Sequence, residues 1–341
     1  MNPRNRIFPV FIPHLGCPHA CVFCNQHEIT APFCGAEPED PLVELDRLLN
    51  LPPDGCKREL AFYGGSFTAI PVEQQLRFLE PAARALADGV IGSIRLSTRP
   101  DAVDREALAR LRSFGVGTVE LGAQSMRDEV LSLSCRGHTA QEVRNAARMV
   151  KNAGFQLVLQ MMTGLPGDDE DGAEYTAREL IALNPDAVRI YPTVIVKGTR
   201  LAAMWQAGEY REHTVEDAVR ICSRLLPLFE EAGIPVIRLG LNPTEELGAG
   251  RNSARGAALA GAYHPALGEL VRARIVRNRL EAQLAALDCA GRSVIVTVPP
   301  DRLSQAIGQH RCNVIWLKER FRLKELQVQS GDSPRMNISI A

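Results

Sequence analysis

The chain has 341 residues, of which 45% are hydrophobic, and a formal net charge of −1. This length suits one large α/β domain and a smaller second one, and the balanced charge excludes a global basic field that would attract nucleic acid. Nine cysteines without a signal peptide indicate a reducing cytoplasm and not a disulfide framework. No apolar run is long enough to cross a membrane.

Short apolar runs alternate with amphipathic stretches along the first part of the chain. Such alternation is typical of parallel βα units, in which functional residues lie on loops at the carboxyl ends of the strands. It therefore predicts an α/β fold, and a doubly wound sheet is one arrangement that fits. The predicted strands are Ile7–Pro13, Glu59–Tyr63, Ser93–Ser97, Gly117–Leu121, Phe155–Met161 and Asp186–Tyr191. The predicted helices between them are Val72–Ala87, Asp104–Phe114, Ala140–Ala153 and Glu170–Leu183.

Two further helices, Arg200–Ala207 and Val215–Ala232, lead to a predicted strand at Val236–Leu241. The composition then changes, because Gly248–Gly261 is rich in glycine and alanine. Such a segment is typical of a flexible connection or an active-site loop. We therefore divide the chain into residues 1–245, a connecting segment 246–264 and a C-terminal domain 265–341.

Three cysteines, Cys17, Cys21 and Cys24, follow the first predicted strand with spacers of three and two residues. Three thiolates on one tight loop can hold three irons of a cubane [4Fe–4S] cluster, because soft sulfur ligands suit iron–sulfur centres. The fourth iron would then be open to a small chelating molecule. Two alternatives remain at this point: a zinc site completed by Cys34 or His27, and redox thiols without a fixed partner.

Polar and glycine-rich motifs end several of the other strands. Gly64 and Gly65 would let a ligand approach the backbone closely, although two glycines after a strand more often form only a turn. Gln124 could exchange hydrogen bonds with ribose hydroxyls, or be an ordinary polar loop residue. Arg136 would suit a carboxylate through a bidentate pair, while His138-Thr139 beside it could simply begin the next helix.

The cysteine spacing, Phe23 before the last cysteine and the position after a strand together resemble the radical S-adenosylmethionine (SAM) superfamily. This resemblance implies a partial (β/α)6 TIM-like barrel that holds a [4Fe–4S] cluster. It also implies that SAM chelates the open iron through its methionyl amino and carboxylate groups. An electron from a reductant such as flavodoxin or ferredoxin would then cleave SAM to a 5′-deoxyadenosyl radical.

The series from Tyr191 to Thr199, with Trp205 beyond it, resembles the radical SAM domain of the Elongator catalytic subunit family. The likeness covers roughly residues 5–245 and implies modification of a tRNA wobble uridine. Tyr191 and Lys197 in this series are candidate catalytic residues. The resemblance, together with a looser one to oxygen-independent coproporphyrinogen dehydrogenases, implies the following sites. Cys17, Cys21 and Cys24 would hold the cluster, and Gly64, Gly65, Gln124, Arg136 and Gln160 would contact SAM.

The chain also departs from these families. Ser97 stands where they commonly carry Glu, and Gln160 stands where the coproporphyrinogen enzymes carry Asp. The Elongator subunit also has an acetyltransferase domain, for which this chain has no room. The source of any acetyl group is therefore left open.

The C-terminal domain resembles a KH domain, a small α+β fold that binds RNA. After a helix over Pro265–Leu287, the predicted order is β-α-α-β, from Ser293–Val298 to Leu323–Gln329. The loop between its two short helices offers backbone N–H groups to phosphates, although its second glycine is replaced by arginine. The candidate RNA-binding residues are Gly308, Gln309, His310 and Arg311 of this loop and Arg272, Arg274, Arg277 and Arg279 of the preceding helix.

We therefore predict an Elongator-like radical SAM enzyme that modifies RNA, most naturally tRNA, in the cytoplasm. One alternative is radical chemistry on a small molecule, as in the coproporphyrinogen dehydrogenases, with the tail as a lid. The alternative from another class is a non-catalytic RNA-binding protein stabilised by a metal.

Overall fold

The computed structural model describes residues 5–12, 14–17, 21–25, 40–53, 55–241, 257–332 and 336–340. Each predicted strand of the first part takes a place in one parallel sheet that curls into a half-barrel. The predicted strand at Val236–Leu241 joins its edge, so the sheet has seven strands, one more than the six implied by the resemblance. In spatial order they are β1 (Asn5–Phe11), β2 (Lys57–Tyr63), β3 (Ser93–Thr98), β4 (Val116–Gln124), β5 (Gln156–Thr163), β6 (Ala187–Pro192) and β8 (Val236–Leu239).

Helices follow most of the strands, and several of them pack on the outer face of the sheet. Several begin at a side chain that accepts a hydrogen bond from the first turn, which satisfies an otherwise unpaired N–H group. Asp104, Thr139, Asp169 and Thr199 act in this way. The helices are α1 (Pro41–Leu49), α2 (Val72–Ala87), α3 (Arg105–Ser113), α4 (Asp128–Leu133), α5 (Ala140–Asn152), α6 (Glu170–Ala182), α7 (Arg200–Gln206) and α8 (Val215–Glu231).

The two faces of the sheet differ in polarity. Phe62 of β2 is fully buried on the helical face, where its ring centroid lies 5.1 Å from that of Phe67 and 5.7 Å from that of Phe78 in α2. Along β3, buried and half-buried residues alternate, so that Arg95 lies on the inner face between buried neighbours. Because side chains alternate across a strand, the apolar outer face and a polar inner face come from the same short runs.

A short antiparallel pair adds to this part of the chain. Strand β7 (Val194–Val196) pairs with β9 (Ala258–Gly261). Strand β9 lies within the predicted connecting segment, of which residues 246–256 are outside the described residues.

The chain divides into two compact units, Met1–Thr214 with Leu228–Tyr263, and Val215–Pro227 with His264–Ala341. The second unit contains the predicted β-α-α-β order and a further strand that the sequence did not predict. Its sheet has the order β11-β10-β12, with β10 parallel to β11 and antiparallel to β12. Its elements are α9 (Leu267–Ala285), β10 (Ser293–Val298), α10 (Leu303–Ile307), α11 (Cys312–Arg320), β11 (Glu325–Ser330) and β12 (Asn337–Ile340).

A buried amide joins α9, α10 and α11 of the second unit. Asn313 of α11 donates to the carbonyl oxygens of Ala273 in α9 and Gln305 in α10, at 2.9 Å each. It is 2% exposed, so neither carbonyl has water as a ready substitute.

Among the described residues, no helix is both long and apolar enough to span a bilayer.

We expect Asn313→Ala to lower the free energy of unfolding of the second unit by about 2 kcal/mol, because two buried carbonyl groups lose their donor. The measurement is urea unfolding followed by the fluorescence of Trp316, in a Trp205→Phe background that leaves no other tryptophan. Asn278→Ala, which truncates an exposed amide on α9, is the matched control and should change little. Equal effects of the two substitutions would contradict the role given to Asn313.

Candidate functional site

The cysteine loop begins by packing on the end of β2. Backbone hydrogen bonds run from Ile12 to the carbonyl of Tyr63 (2.7 Å) and from His14 to the carbonyl of Gly64 (3.0 Å). In a third bond the donor is on the other segment, because the N–H of Ser66 donates to the carbonyl of Leu15 at 2.8 Å. The loop that carries the predicted cluster ligands is thus attached to the glycine pair along its backbone.

Two glycines make this contact possible. A Cβ atom at Gly65 would lie 2.5 Å from the carbonyl oxygen of Leu15, and one at Gly16 would lie 2.2 Å from that of Ser66. Gly16 also has φ +72°, a conformation that other residues rarely adopt. The close approach expected at Gly64-Gly65 is therefore made, in this structure, by the cysteine loop itself. A contact of these glycines with SAM stays a prediction.

The second half of the loop is held by Val22, between Cys21 and Cys24. Val22 is fully buried, and its N–H donates to the carbonyl of Ser134 at 3.1 Å. Its carbonyl accepts from the N–H of Leu201 in α7 at 2.7 Å. Ile195 of β7 and Ala260 of β9 belong to the same apolar cluster. The short sheet and α7 therefore serve as a support for the cysteine loop.

The cysteine thiols lie beside two guanidinium groups. Cys17, Cys21 and Cys24 are all half-buried, and none of them forms a disulfide with another described cysteine. Burial and the neighbouring Cys21 raise the pKa of Cys17, and the positive charges of Arg99 and Arg136 oppose that rise. Three soft donors with positive charge beside them suit an anionic iron–sulfur cluster.

No group of three His, Cys, Asp or Glu side chains within the described ranges is gathered around a point where a single ion could bind. The candidate fourth zinc ligands, Cys34 and His27, lie outside the described residues.

The structure brings together the polar residues predicted to contact SAM. Gln160 Nε2 donates to Gln124 Oε1 at 3.2 Å. A Cβ atom at Gly122 would lie 3.0 Å from Gln124 Nε2 and 3.3 Å from Arg136 Nη2, so both side chains share the space that this glycine leaves. Arg136 reaches in turn to the cysteine loop, where its Nη1 donates to Cys21 Sγ at 3.2 Å. Predicted cluster ligands and predicted SAM ligands thus share one edge of the sheet.

A group of buried side chains packs behind Arg136, and none of them is a predicted site residue. Arg99 donates from Nε and Nη2 to the two carboxylate oxygens of Asp101, at 3.0 Å each. Arg99 Nη2 also donates to the backbone carbonyl of Arg136. His138 lies alongside, with Nε2 3.2 Å from the carbonyl oxygen of Ala123. Burial, followed by the charge of Arg136, lowers the pKa of His138 to about 4, so the imidazole is neutral at physiological pH.

A second group that sequence reasoning missed fills the inner face of the sheet. The carboxylate of Glu120, which is 3% exposed, accepts from Arg95 Nη1 at 2.8 Å and from Arg189 Nε at 2.9 Å. It also accepts from the hydroxyl of Tyr63 at 3.0 Å. Arg95 makes a further ion pair with Glu59 at 2.8 Å. These residues come from β2, β3, β4 and β6, and the only local signal was a charge inside each apolar strand.

The two candidate catalytic residues differ in their surroundings. Tyr191 is half-buried next to Phe23 and Met162, and burial raises its pKa. Its hydroxyl lies 3.5 Å from Arg189 Nη1, which connects it to the polar inner face. Lys197 has an exposed side chain, and its backbone carbonyl accepts from Asn25 Nδ2 at 3.1 Å. Tyr191 therefore lies at the polar edge of the sheet, whereas Lys197 is tied to the cysteine loop through its backbone.

In the second unit, the predicted RNA-binding loop has an unusual backbone. Gly308 has φ +75°, and the non-glycine residues His310 and Arg311 have φ +51° and +61°. Gln309, His310 and Arg311 are exposed where α11 begins. Arg311 thus adopts the left-handed conformation that the glycine of a GxxG loop would adopt without strain.

The four arginines of α9 do not form a uniform free surface. Arg274 makes an ion pair with Glu216, and the guanidinium of Arg277 lies 4.4 Å from the ring centroid of Trp316. Arg279 is exposed and Arg272 is half-buried. Arg279 is therefore the arginine of this helix most accessible to a ligand.

The neutral imidazole of His138 predicts a pH dependence of stability. Because its pKa is lower in the folded chain, about 4 instead of 6.5, the unfolded chain binds the proton more readily. The stability that this imidazole contributes is complete above about pH 6.5 and is lost as the pH falls towards about 4. Between about pH 7.5 and 4.5, we expect wild type to lose about 2–3 kcal/mol more than His138→Gln in urea unfolding.

His310→Gln is the control, because it replaces an exposed imidazole, and it should follow wild type. Equal losses in wild type and His138→Gln would contradict the burial of a neutral ring at this position.

Comparison with known proteins identifies the family to which the chain belongs. The family model of the Radical SAM superfamily matches residues 11–180, and that of the Radical_SAM C-terminal domain matches residues 185–277. The chain is 28% identical over 248 residues to a tRNA uridine(34) acetyltransferase of Methanocaldococcus jannaschii, covering 61% of this chain and 46% of that protein. It is 28% identical over 261 residues to human Elongator complex protein 3, covering 63% and 48%. The chain thus spans about half the length of these relatives.

A solved structure has the same fold. The archaeal Elp3 of Methanocaldococcus infernus, with an N-terminal deletion, superposes with a TM-score of 0.61 at 22% identity, over 82% of this chain and 64% of that one. The two family models together match most of the chain, from the end of β1 into α9. The chain belongs to the radical SAM superfamily.

Proposed function

We propose that this chain is an Elongator-like radical SAM enzyme that acts on tRNA, with the wobble uridine as its target. The observation that carries the proposal is the meeting of three groups at one edge of the half-barrel. These are the cysteine loop, the glycine pair on which it packs, and the cluster of Gln124, Gln160 and Arg136. The tRNA part rests on the similarity to a tRNA uridine(34) acetyltransferase and to an Elongator subunit.

Membership of the family implies a [4Fe–4S] cluster and SAM as cofactors. We propose that Cys17, Cys21 and Cys24 bind three of the irons and leave the fourth to SAM. When bound, the cluster supplies one electron for the cleavage of SAM to methionine and a 5′-deoxyadenosyl radical, and a flavodoxin or ferredoxin would restore that electron. The described cysteines form no disulfide with one another, which suits a reducing cytoplasm, where we place the reaction.

The residues of the chain would then divide the task. Gln124 and Gln160 offer amide donors and acceptors to the ribose of SAM, and Gly64 and Gly65 keep the backbone near it free of side chains. The backbone of Gln124 has a φ of +65°, and its side chain is held in place by the hydrogen bond that it accepts from Gln160. Tyr191, half-buried between Phe23 and the polar inner face, would form a wall that keeps water from the radical.

The second unit would supply contacts to the RNA backbone. Exposed Arg311, at the start of α11, presents a positive charge and lies beside exposed His310 and the backbone N–H groups of the loop. Arg279 on α9 adds an exposed cation. Such contacts contribute affinity without base specificity, so the choice of nucleotide would fall to the half-barrel.

The cluster assignment is tested with single Cys→Ala substitutions at the three positions. Each should abolish both bound iron and sulfide and the reductive cleavage of SAM to 5′-deoxyadenosine, because a cubane held by two protein thiolates is poorly retained. Cys312→Ala, at an exposed cysteine of the second unit, is the matched control and should leave both unchanged. A triple substitution that keeps full iron content would remove the assignment.

The RNA assignment is tested by tRNA binding and by nucleoside analysis. Arg311→Asp should weaken tRNA binding and reduce the slope of log affinity against log salt by roughly one, since one phosphate contact is lost. SAM cleavage without RNA should survive, because the first unit carries the cysteines. Lys324→Asp makes the same charge reversal at another exposed position of the second unit and should have a smaller effect.

In a strain that lacks the gene, mass spectrometry of tRNA should show the loss of a modified uridine at position 34. Unchanged tRNA nucleosides, together with wild-type binding that is no stronger than a salt-insensitive background, would leave a radical SAM enzyme that acts on a small molecule. A wild-type chain that binds tRNA but holds no iron would instead support a non-catalytic RNA-binding protein.

A further inference from the structure

Arg136 directs its guanidinium at a predicted cluster ligand. Its Nη1 lies 3.2 Å from Cys21 Sγ, and its Nη2 donates to the carbonyl oxygen of Gly122 at 2.8 Å. The residue is 6% exposed, so water scarcely competes for these contacts. Resemblance to related enzymes suggested a different partner for Arg136, the carboxylate of SAM.

The position of the guanidinium is fixed from several sides. The N–H of Arg136 donates to the carbonyl of Leu131 at 2.9 Å, and its own carbonyl accepts from Arg99. Gly122 has no Cβ, and an added one would lie 3.3 Å from Nη2, so this glycine leaves the space that the side chain occupies. Arg136 therefore reaches Cys21 through a preorganised contact.

The charges of the two neighbouring arginines are balanced differently. Arg99 forms a bidentate pair with Asp101. Among the described residues, Arg136 forms no ion pair with a carboxylate, and its Nε is buried without a partner. A buried cation without an anion is costly, and a thiolate at Cys21 would supply the anion.

We propose that Arg136 is a cluster-tuning residue, whose N–H···S hydrogen bond to Cys21 raises the reduction potential of the [4Fe–4S] cluster. The inference rests on the proposed function, namely that Cys17, Cys21 and Cys24 hold that cluster. Reduction adds one negative charge to a centre that is already anionic, and a buried cation at hydrogen-bond distance from a ligand sulfur stabilises the more negative state. The charge of Arg136 acts on the cluster even before SAM binds, because Arg136 reaches Cys21 in the absence of SAM.

The test is a redox titration of the reconstituted protein in the absence of SAM, followed by the electron paramagnetic resonance signal of the reduced cluster. Arg136→Gln should lower the equilibrium constant of one-electron reduction at least tenfold, which corresponds to 59 mV. Arg136→Lys keeps the charge but cannot bond to Gly122 and Cys21 together, so a fall of about threefold is expected. Arg105→Gln, at an exposed arginine of α3, is the matched control and should match wild type.

If the equilibrium constant of one-electron reduction in Arg136→Gln lies within twofold of the wild-type value, the inference is overturned. If that variant loses only its affinity for SAM, Arg136 is assigned to the SAM carboxylate alone. If Arg136→Gln retains no cluster, Arg136→Lys decides: an unchanged constant overturns the inference and a fall supports it. A wild-type chain that binds no iron and sulfide fails at an earlier step, and overturns the proposed function together with the inference.

Discussion

The contact between the cysteine loop and the end of β2 is the constraint on which the rest of the site depends. Gly16 and Gly65 let the two backbones come so close that a single methyl group at either would collide with a carbonyl oxygen. Because the loop is bonded to residues 63–66 on one side and holds Val22 in an apolar cluster on the other, its thiols are directed by backbone contacts at both ends. A ligand set held in this way loses little conformational entropy when it binds a cluster.

The inner face of the half-barrel follows from the alternation of side chains along each strand. Outward residues such as Phe62 pack under helices, and their neighbours are left to line the interior, where charged groups must find partners. Glu120 meets this need for Arg95 and Arg189 together, with Tyr63 as a further donor. The result is a rigid polar surface beneath the predicted cofactor site, since breaking one member would leave a buried charge unpaired.

In the second unit, strain and exposure occur in the same loop. His310 and Arg311 both adopt left-handed backbone conformations and are exposed, while Asn313 beside them is buried and bonded to two other helices. A firmly held amide thus fixes the start of α11 and allows an unfavourable loop conformation to persist next to it. Strained, exposed residues on a rigid base are a frequent arrangement at binding loops, and here Arg311 carries the positive charge that RNA contacts would need.

The sequence alone determined those features that depend on near neighbours in the chain. The alternation of apolar runs located the strands of the sheet and most of its helices. The spacing of Cys17, Cys21 and Cys24, with Phe23 before the last of them and a strand ahead of them, indicated the superfamily. Only the tertiary structure decided which side chains meet. Arg136 and Cys21 are 115 positions apart, and no local pattern distinguishes a thiol from a carboxylate as the partner of an arginine. Glu120, Arg95 and Arg189 likewise became one network through the register of the four strands β3 to β6, which short-range patterns do not specify.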